Sequence, residues 1–430
     1  MSDIQLSDHF TYKRLLQFTW PSILMMIFTS LYSIVDGIMV SNYAGTVSFD
    51  ALNLIWTFCA ILGAFGFMFG TGGSALVAKI LGEGDKEKAI NVFSLLTYAT
   101  IIQSVVMGCI GFFFVRDVAI FLGAEGEMVE DCVIYGCILM SFLPAYELQV
   151  YSQSLLITAE QPKLAMRITI AAGVTNMVLD YVFIGLWNMG ISGAAWASSI
   201  GLCVGGFLPL FYFYKIGWLK GCKFSLSAIY KTCKNGLSEF VMNIALSVVG
   251  MIYMYQLIRE IGEAGVAAYG VMTYFAFIFA AVFLGYGIGT APIMSYHYGA
   301  NNKEEMHSLL KKSLKIVVFT GIGMTVLAQL LARPLSSIFV GYDDELLDLT
   351  VFAFRFYSLH FIVTGINIYA SSFFTSLNNG PVSALISIMR TGVWVCIDIA
   401  NGLWNGCDMV GSCCGRNLDN DYVVILDMEV

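Results

Sequence analysis

Residues 70–89 read GTGGSALVAKILGEGDKEKA, and residues 287–306 read GIGTAPIMSYHYGANNKEEM. The two stretches align without a gap at an offset of 217, and the register extends back through YAGTVSFDAL at 43–52 and EIGEAGVAAY at 260–269. Gly45 meets Gly262, Ala51 meets Ala268, and Gly70 and Gly72 meet Gly287 and Gly289. Gly82, Lys86 and Glu87 meet Gly299, Lys303 and Glu304. Further on, Gln161-Pro162-Lys163 stands opposite Gly380-Pro381-Val382, where the offset has drifted by two. Shared amphipathic composition imitates isolated matches, but it does not hold one register across a helix and the polar loop after it. The chain is built from two related halves.

The solvent of those halves follows from composition. Of 430 residues, 58% are hydrophobic and 12% charged, and the mean hydropathy is +0.77. Soluble domains carry about 25% charged residues, so an ordinary soluble enzyme is excluded, and disorder, which needs polarity, is excluded with it. Against 30 Asp+Glu stand only 22 Lys+Arg, a net charge of −8, which leaves no basic footprint for nucleic acid. The chain reads as an all-α polytopic membrane protein. With a ruler of about 20 apolar residues per span, spans fall near 15–40, 50–78, 93–115, 132–157, 164–187, 191–214, 236–258, 266–295, 314–332, 349–377 and 382–400. The eleventh begins normally and then deteriorates. Residues 1–12, MSDIQLSDHFTY, lack the basic lead of a signal peptide, so the first span is expected to stay as a helix. An even number of helices per half makes this a parallel repeat about an axis along the membrane normal, with a substrate path between the halves.

The cations set an expected orientation. Lys13, Arg14, Lys79, Lys86, Lys88, Lys163, Arg167, the lysines of the 215–234 loop, Lys303, Lys311, Lys312, Lys315 and Arg390 fall on one side. Only Arg116, Arg259 and Arg333 occupy the opposite loops, each with acids nearby. The positive-inside rule puts the N-terminus and the lysine-rich loops in the cytoplasm.

An ionisable side chain within a span is a functional hypothesis. Five candidates matter: Asp36, Glu147, Asp180, Glu239 and Arg355. Asn176 lies four residues before Asp180, so both face one spot from one helix, and Ser198 on the next helix adds a hydroxyl. Such oxygens suit a hard cation, and the carboxylates alone suit a proton. Glu147, with Gln149 and Gln153, and Glu239 are candidates for the wall of a substrate cavity. Arg355 is expected to snorkel to the headgroups. Gly70-Thr71-Gly72-Gly73, inside an apolar helix, reads as close helix packing rather than a phosphate cradle. The cysteines between 59 and 233 lack zinc spacing and read as small packing residues. A membrane enzyme would need paired acids or His/Cys clusters at one depth, a pattern the sequence of the spans does not display.

These stretches resemble a known family. WPSILMMIFTSLYSIVDGIMVSNYAG at 20–45, the segment 70–89 and NMVLDYVFIGLWNMGISGAAWASSIG at 176–201 are similar to MATE (multidrug and toxic compound extrusion) transporters, in order and spacing over about residues 10–390. They look most like the bacterial multidrug branch near the DinF-type proteins. The resemblance implies twelve helices in two six-helix lobes of the MATE/MOP fold, in a bacterial inner membrane. It implies a monomer that exports organic cations or drugs against inward Na⁺ or H⁺, with no cofactor beyond that coupling ion. By motif, its coupling site falls on Asp36, Asn176, Asp180 and Ser198, the last replacing a threonine. Residues 1–218 are then the N-lobe, 219–390 the C-lobe and 391–430 a tail foreign to the pattern.

That tail, from Val395 onward, carries six acids and four cysteines and offers no twelfth span. Shifted by one base, permitted codons from Ile397 spell LILPMAFGMDVIWWAVVVAEIW, which looks like the end of an eleventh helix and the start of a twelfth. The expectation is a frameshift near 391–397, which leaves open a non-transporting truncated product. A flippase for lipid-linked oligosaccharides, of the same superfamily, is the transport alternative. It calls for cavity arginines, and Arg355 alone lies in a span away from the lysine-rich side.

Overall fold

The computed structural model describes residues 4–260, 263–341 and 344–389. The region read as a foreign tail lies outside the described residues. Among those described, every regular element is helical. The N-lobe holds α1 (Tyr12–Tyr43), α2 (Thr46–Gly82), α3 (Lys86–Phe121), α4 (Glu127–Ser141), α5 (Leu143–Thr158), α6 (Pro162–Asp180) and α7 (Gly190–Lys215). The C-lobe holds α8 (Leu226–Glu260), α9 (Glu263–Gly299), α10 (Lys303–Val340), α11 (Asp344–Ser358), α12 (Phe361–Ser376) and α13 (Gly380–Ile388). Among the described residues, seven helices are long and apolar enough to cross a bilayer. The pairs α4–α5 and α11–α12 each pass as one span, bent by 56° and 47°.

Local chemistry repeats along with the helices. Asp85 caps α3 by accepting from the Lys88 N–H at 3.0 Å. Its counterpart 217 residues on, Asn302, caps α10 by accepting from the Glu305 N–H at 3.1 Å. Each oxygen satisfies an orphan donor of the first turn. In the turns before Pro162 and Pro381, Glu160 (φ 63°) and Asn378 (φ 57°) both take the left-handed conformation.

The spans expected as single helices at 132–157 and 349–377 are each broken in two. In the first, Pro144 in the opening turn of α5 cannot donate a backbone hydrogen bond. In the second, α10 supplies what the break leaves unpaired. Gln329 Nε2 donates to the Arg355 carbonyl and to Ser358 Oγ, both at 2.7 Å, and Thr325 Oγ1 donates to the Ser358 carbonyl at 3.0 Å. Irregular backbone at membrane depth survives where neighbouring helices satisfy it in this way.

The halves meet through glycines. A Cβ on Gly82 would run into the Tyr296 carbonyl, and one on Gly299 into the Lys79 carbonyl. Both pairs differ by the repeat offset, so the contact is the same contact seen twice about a pseudo-two-fold axis. Gly72 faces the α8 backbone at Thr232 and Gly236, while Gly289 packs on Thr19 of α1 at 3.1–3.2 Å. The glycines of the quoted segments therefore let backbones approach across the lobe interface.

The apolar clusters give the shape of that interface. One holds Leu15, Phe18, Val77, Phe93 and Phe213 together with Ile293 and Leu309, and so joins both lobes at the lysine-rich end. At the other end the clusters separate: Val40, Ile55, Val115 and Tyr135 belong to the N-lobe alone, and Phe275, Ala332 and Phe354 to the C-lobe alone. Among the described residues, the lobes share the cluster at the basic end, and a smaller one joins Ile23 of α1 to Phe283 of α9.

Candidate functional site

Asn176 and Asp180, one turn apart on α6, are both buried, Asp180 completely. Asp180 is no water-exposed helix cap. The chain continues past it as a widened π-helical turn, Tyr181–Leu186, a local irregularity that recurs at functional sites. From α1, Asp36 brings its carboxyl up to Asp180 and Asn176. From α7, Ser198 Oγ accepts a hydrogen bond from Asn176 Nδ2 at 3.3 Å. Small residues make this convergence sterically possible. A Cβ at Gly173 would meet Phe28 and Tyr32 of α1 at 2.6 and 2.9 Å, and one at Gly201 of α7 would meet Asn176 at 3.0 Å.

Four side-chain oxygens at this point are buried without a hydrogen-bond partner: Asp36 Oδ1, Asn176 Oδ1 and both carboxylate oxygens of Asp180. Asn176 gives one N–H to Ser198, and its carbonyl oxygen is the fourth free acceptor. Two anions buried together without a counter-charge cost several kcal/mol. A proton, or a hard monovalent cation held by carboxylate, amide and hydroxyl oxygens, removes that cost. The donor set fits either.

Two tyrosines missed in the sequence reading complete the surroundings. The buried Tyr135 of α4 reaches Ser198, and Tyr32 of α1 reaches Gln149. Tyr32 was findable, since it precedes Asp36 by four residues on the same helical face. Tyr135 carries no such signal, because only tertiary packing delivers α4 to this point.

The residues proposed for a cavity wall do not form one surface. Glu147 is fully buried in α5, its backbone pressed on Gly66 of α2. Its Oε1 accepts from Gln103 Nε2 of α3 at 3.3 Å, while Glu147 Oε2 and Gln103 Oε1 stay unpartnered. Gln149 lies against Gly205 of α7, and Gln153 Nε2 donates to Thr169 Oγ1 of α6 at 3.2 Å. Glu239 sits in the C-lobe on α8, next to Phe240, whose ring lies 4.7 Å from that of Phe65 at the lobe interface. Gln149 reaches the surroundings of the acid pair through Tyr32. Arg355 is exposed.

Known proteins share this architecture. The MatE family model matches residues 21–182 and 240–399, well over half the chain. The multidrug export protein MepA of Staphylococcus saprophyticus subsp. saprophyticus is 21% identical over 402 residues, 91% of this chain and 88% of the relative. Among solved structures, the crystal structure of MATE in complex with MaL6 superposes with a TM-score of 0.85 at 22% identity, covering 91% of this chain and 89% of that one. A mutant of the Vibrio cholerae MATE transporter VcmN gives a TM-score of 0.86 at 17% identity, covering 93% and 91%.

Proposed function

The chain belongs to the MatE family, and from that premise we propose that it is a secondary active multidrug exporter, moving organic cations or drugs out against inward Na⁺ or H⁺. The observation that carries this reading is the cluster of four buried, unpartnered oxygens on Asp36, Asn176 and Asp180, beside which Ser198 holds the Asn176 amide. The lobes rock about their shared basic end, exposing the space between them to one side and then the other. Loading the acid pair with a proton or Na⁺ removes its charge and favours drug release; unloading restores affinity for the drug.

In this reading the N-terminus and the lysine-rich end face the cytoplasm of a bacterial cell, in agreement with the bias of loop cations. The described conformation, closed at the basic end, is then the one that releases drug outward. The relative named above is a multidrug export protein, which supports drugs as the substrate class. Residues 391–430 remain proposed as a frameshifted tail. The family match reaches residue 399, a few residues beyond the proposed break.

Ethidium efflux from vesicles, driven separately by an imposed Na⁺ or H⁺ gradient, tests the reading. Efflux under one gradient and not the other names the coupling ion. No efflux under either, from protein given an intact C-terminal helix pair, rejects the antiport mechanism.

A further inference from the structure

The segment ahead of α1, residues 4–11, does not trail from the bundle. Leu6 and Phe10 are almost completely buried, within the apolar cluster that joins the two lobes. The Leu6 N–H donates to Glu160 Oε1 at 2.7 Å, in the N-lobe turn between α5 and α6. The Phe10 N–H donates to Glu305 Oε1 at 2.9 Å, and His9 Nδ1 lies 2.6 Å from Glu305 Oε2, both on α10 of the C-lobe. Lys312, two turns further along α10, donates to the Phe10 carbonyl. The Phe10 ring stands edge-on to His297 of α9 at 6.5 Å. One short peptide thus spans the seam and is held by an acid from each lobe.

The repeat supplies a partner to this arrangement. The segment ahead of α8, the first helix of the C-lobe, seats on α3, the counterpart of α10. There the Lys223 N–H donates to Asn91 Oδ1 at 2.7 Å, and Ser94 Oγ donates to the Trp218 carbonyl at 2.7 Å. In each half the chain entering the first helix crosses to the third helix of the other half. The anchoring acids are not repeated, however: Lys88 stands where Glu305 does, and Asn378 where Glu160 does.

We propose that residues 4–11 are a latch that holds the lobes together at the basic end and must undock before they part there. Only two residues, Phe10 and Thr11, separate His9 from α1. The span available to an undocked lobe is therefore about 10 Å, and hydrogen bonds of 2.7–2.9 Å do not survive much stretching. Its role in transport rests on the exporter reading; its role as a latch does not.

Hydrogen–deuterium exchange on the full chain in nanodiscs tests the latch directly. With Glu305→Ala, and separately with Phe10→Ala, exchange in peptides covering residues 76–84 and 293–302 is expected to rise several-fold, while peptides of α4 stay unchanged. Unaltered exchange at the seam in both variants overturns the proposal. A second arm joins the segment to α10 by a disulfide between His9→Cys and Glu305→Cys, verified by mass spectrometry. Oxidised protein should lose ethidium efflux and regain it on reduction. Wild-type efflux by the cross-linked protein also overturns the proposal. If no form of the protein, one with an intact C-terminal helix pair included, exports ethidium, the exporter reading fails and the exchange arm still decides the latch.

Discussion

Asp36 on α1 and Asp180 on α6 meet inside the N-lobe with three of their four carboxylate oxygens buried and unpartnered. Residues so far apart in sequence converge because Gly173 lets α1 lie directly on α6. The pair is the structural basis of the proposed coupling, and its substitution is the most direct probe.

Asp180→Asn keeps the shape and removes the charge, so it should mimic the loaded state permanently. Gradient-driven ethidium efflux is expected to fall to the level of empty vesicles, with normal yield of folded protein in the membrane. Asp36→Asn should behave alike. These variants belong in a chain with an intact C-terminal helix pair. Full efflux by Asp180→Asn would move attention to Glu239.

In the proposed coupling site Ser198 contributes its hydroxyl, which accepts from Asn176 at 3.3 Å. Losing one such bond costs about 1 kcal/mol, roughly a fivefold change. Ser198→Ala should therefore raise the concentration of coupling ion needed for half-maximal efflux by about that factor. Ser198→Thr, which keeps the hydroxyl, should match wild type. Equal effects of the two would exclude a hydroxyl role.

Glu147 differs from the acid pair. Its open oxygen faces an amide whose carbonyl oxygen is also unpartnered. Glu147→Gln supplies a donor to Gln103 and keeps the existing acceptor. Efflux should drop far less than in Asp180→Asn, and the thermal midpoint in detergent should hold or rise. Complete loss of efflux would assign Glu147 to coupling.

Gly82 and Gly299 make one contact twice, each against the other half's backbone. Gly82→Val and Gly299→Val should each destabilise the closed basic end by about 1–3 kcal/mol, the usual cost of overpacking. Thermal unfolding should show losses of similar size in the two variants. A large loss in one and none in the other would contradict the pseudo-symmetric contact.

Orientation is open to labelling in whole cells. A membrane-impermeant thiol reagent should reach Glu125→Cys, in the acidic turn before α4, above the signal of the native cysteines. It should miss Lys223→Cys, in the loop that seats on α3. The reverse pattern would invert the topology and the direction of transport.

Much of the fold was legible from periodic and compositional signals. The length of each apolar stretch set the spans, and the glycine register at an offset of 217 set the repeat. Asn176 and Asp180 share a helical face by spacing alone. The bends escaped because a sliding window averages hydropathy across Phe142-Leu143-Pro144 and Ser358-Leu359-His360. What holds the second break open, Thr325 and Gln329, lies on another helix.

The solvent, the helices and the two-fold repetition are each written in local runs of residues that one bilayer and one helix period interpret. Which side chains meet is a matter of how the helices pack. Helix–helix contacts in lipid are set by where small residues let backbones approach, and that choice is not local. It brought Asp36 and Tyr135 to the Asn176–Asp180 face, turned Glu147 away toward Gln103, and laid residues 4–11 across both lobes.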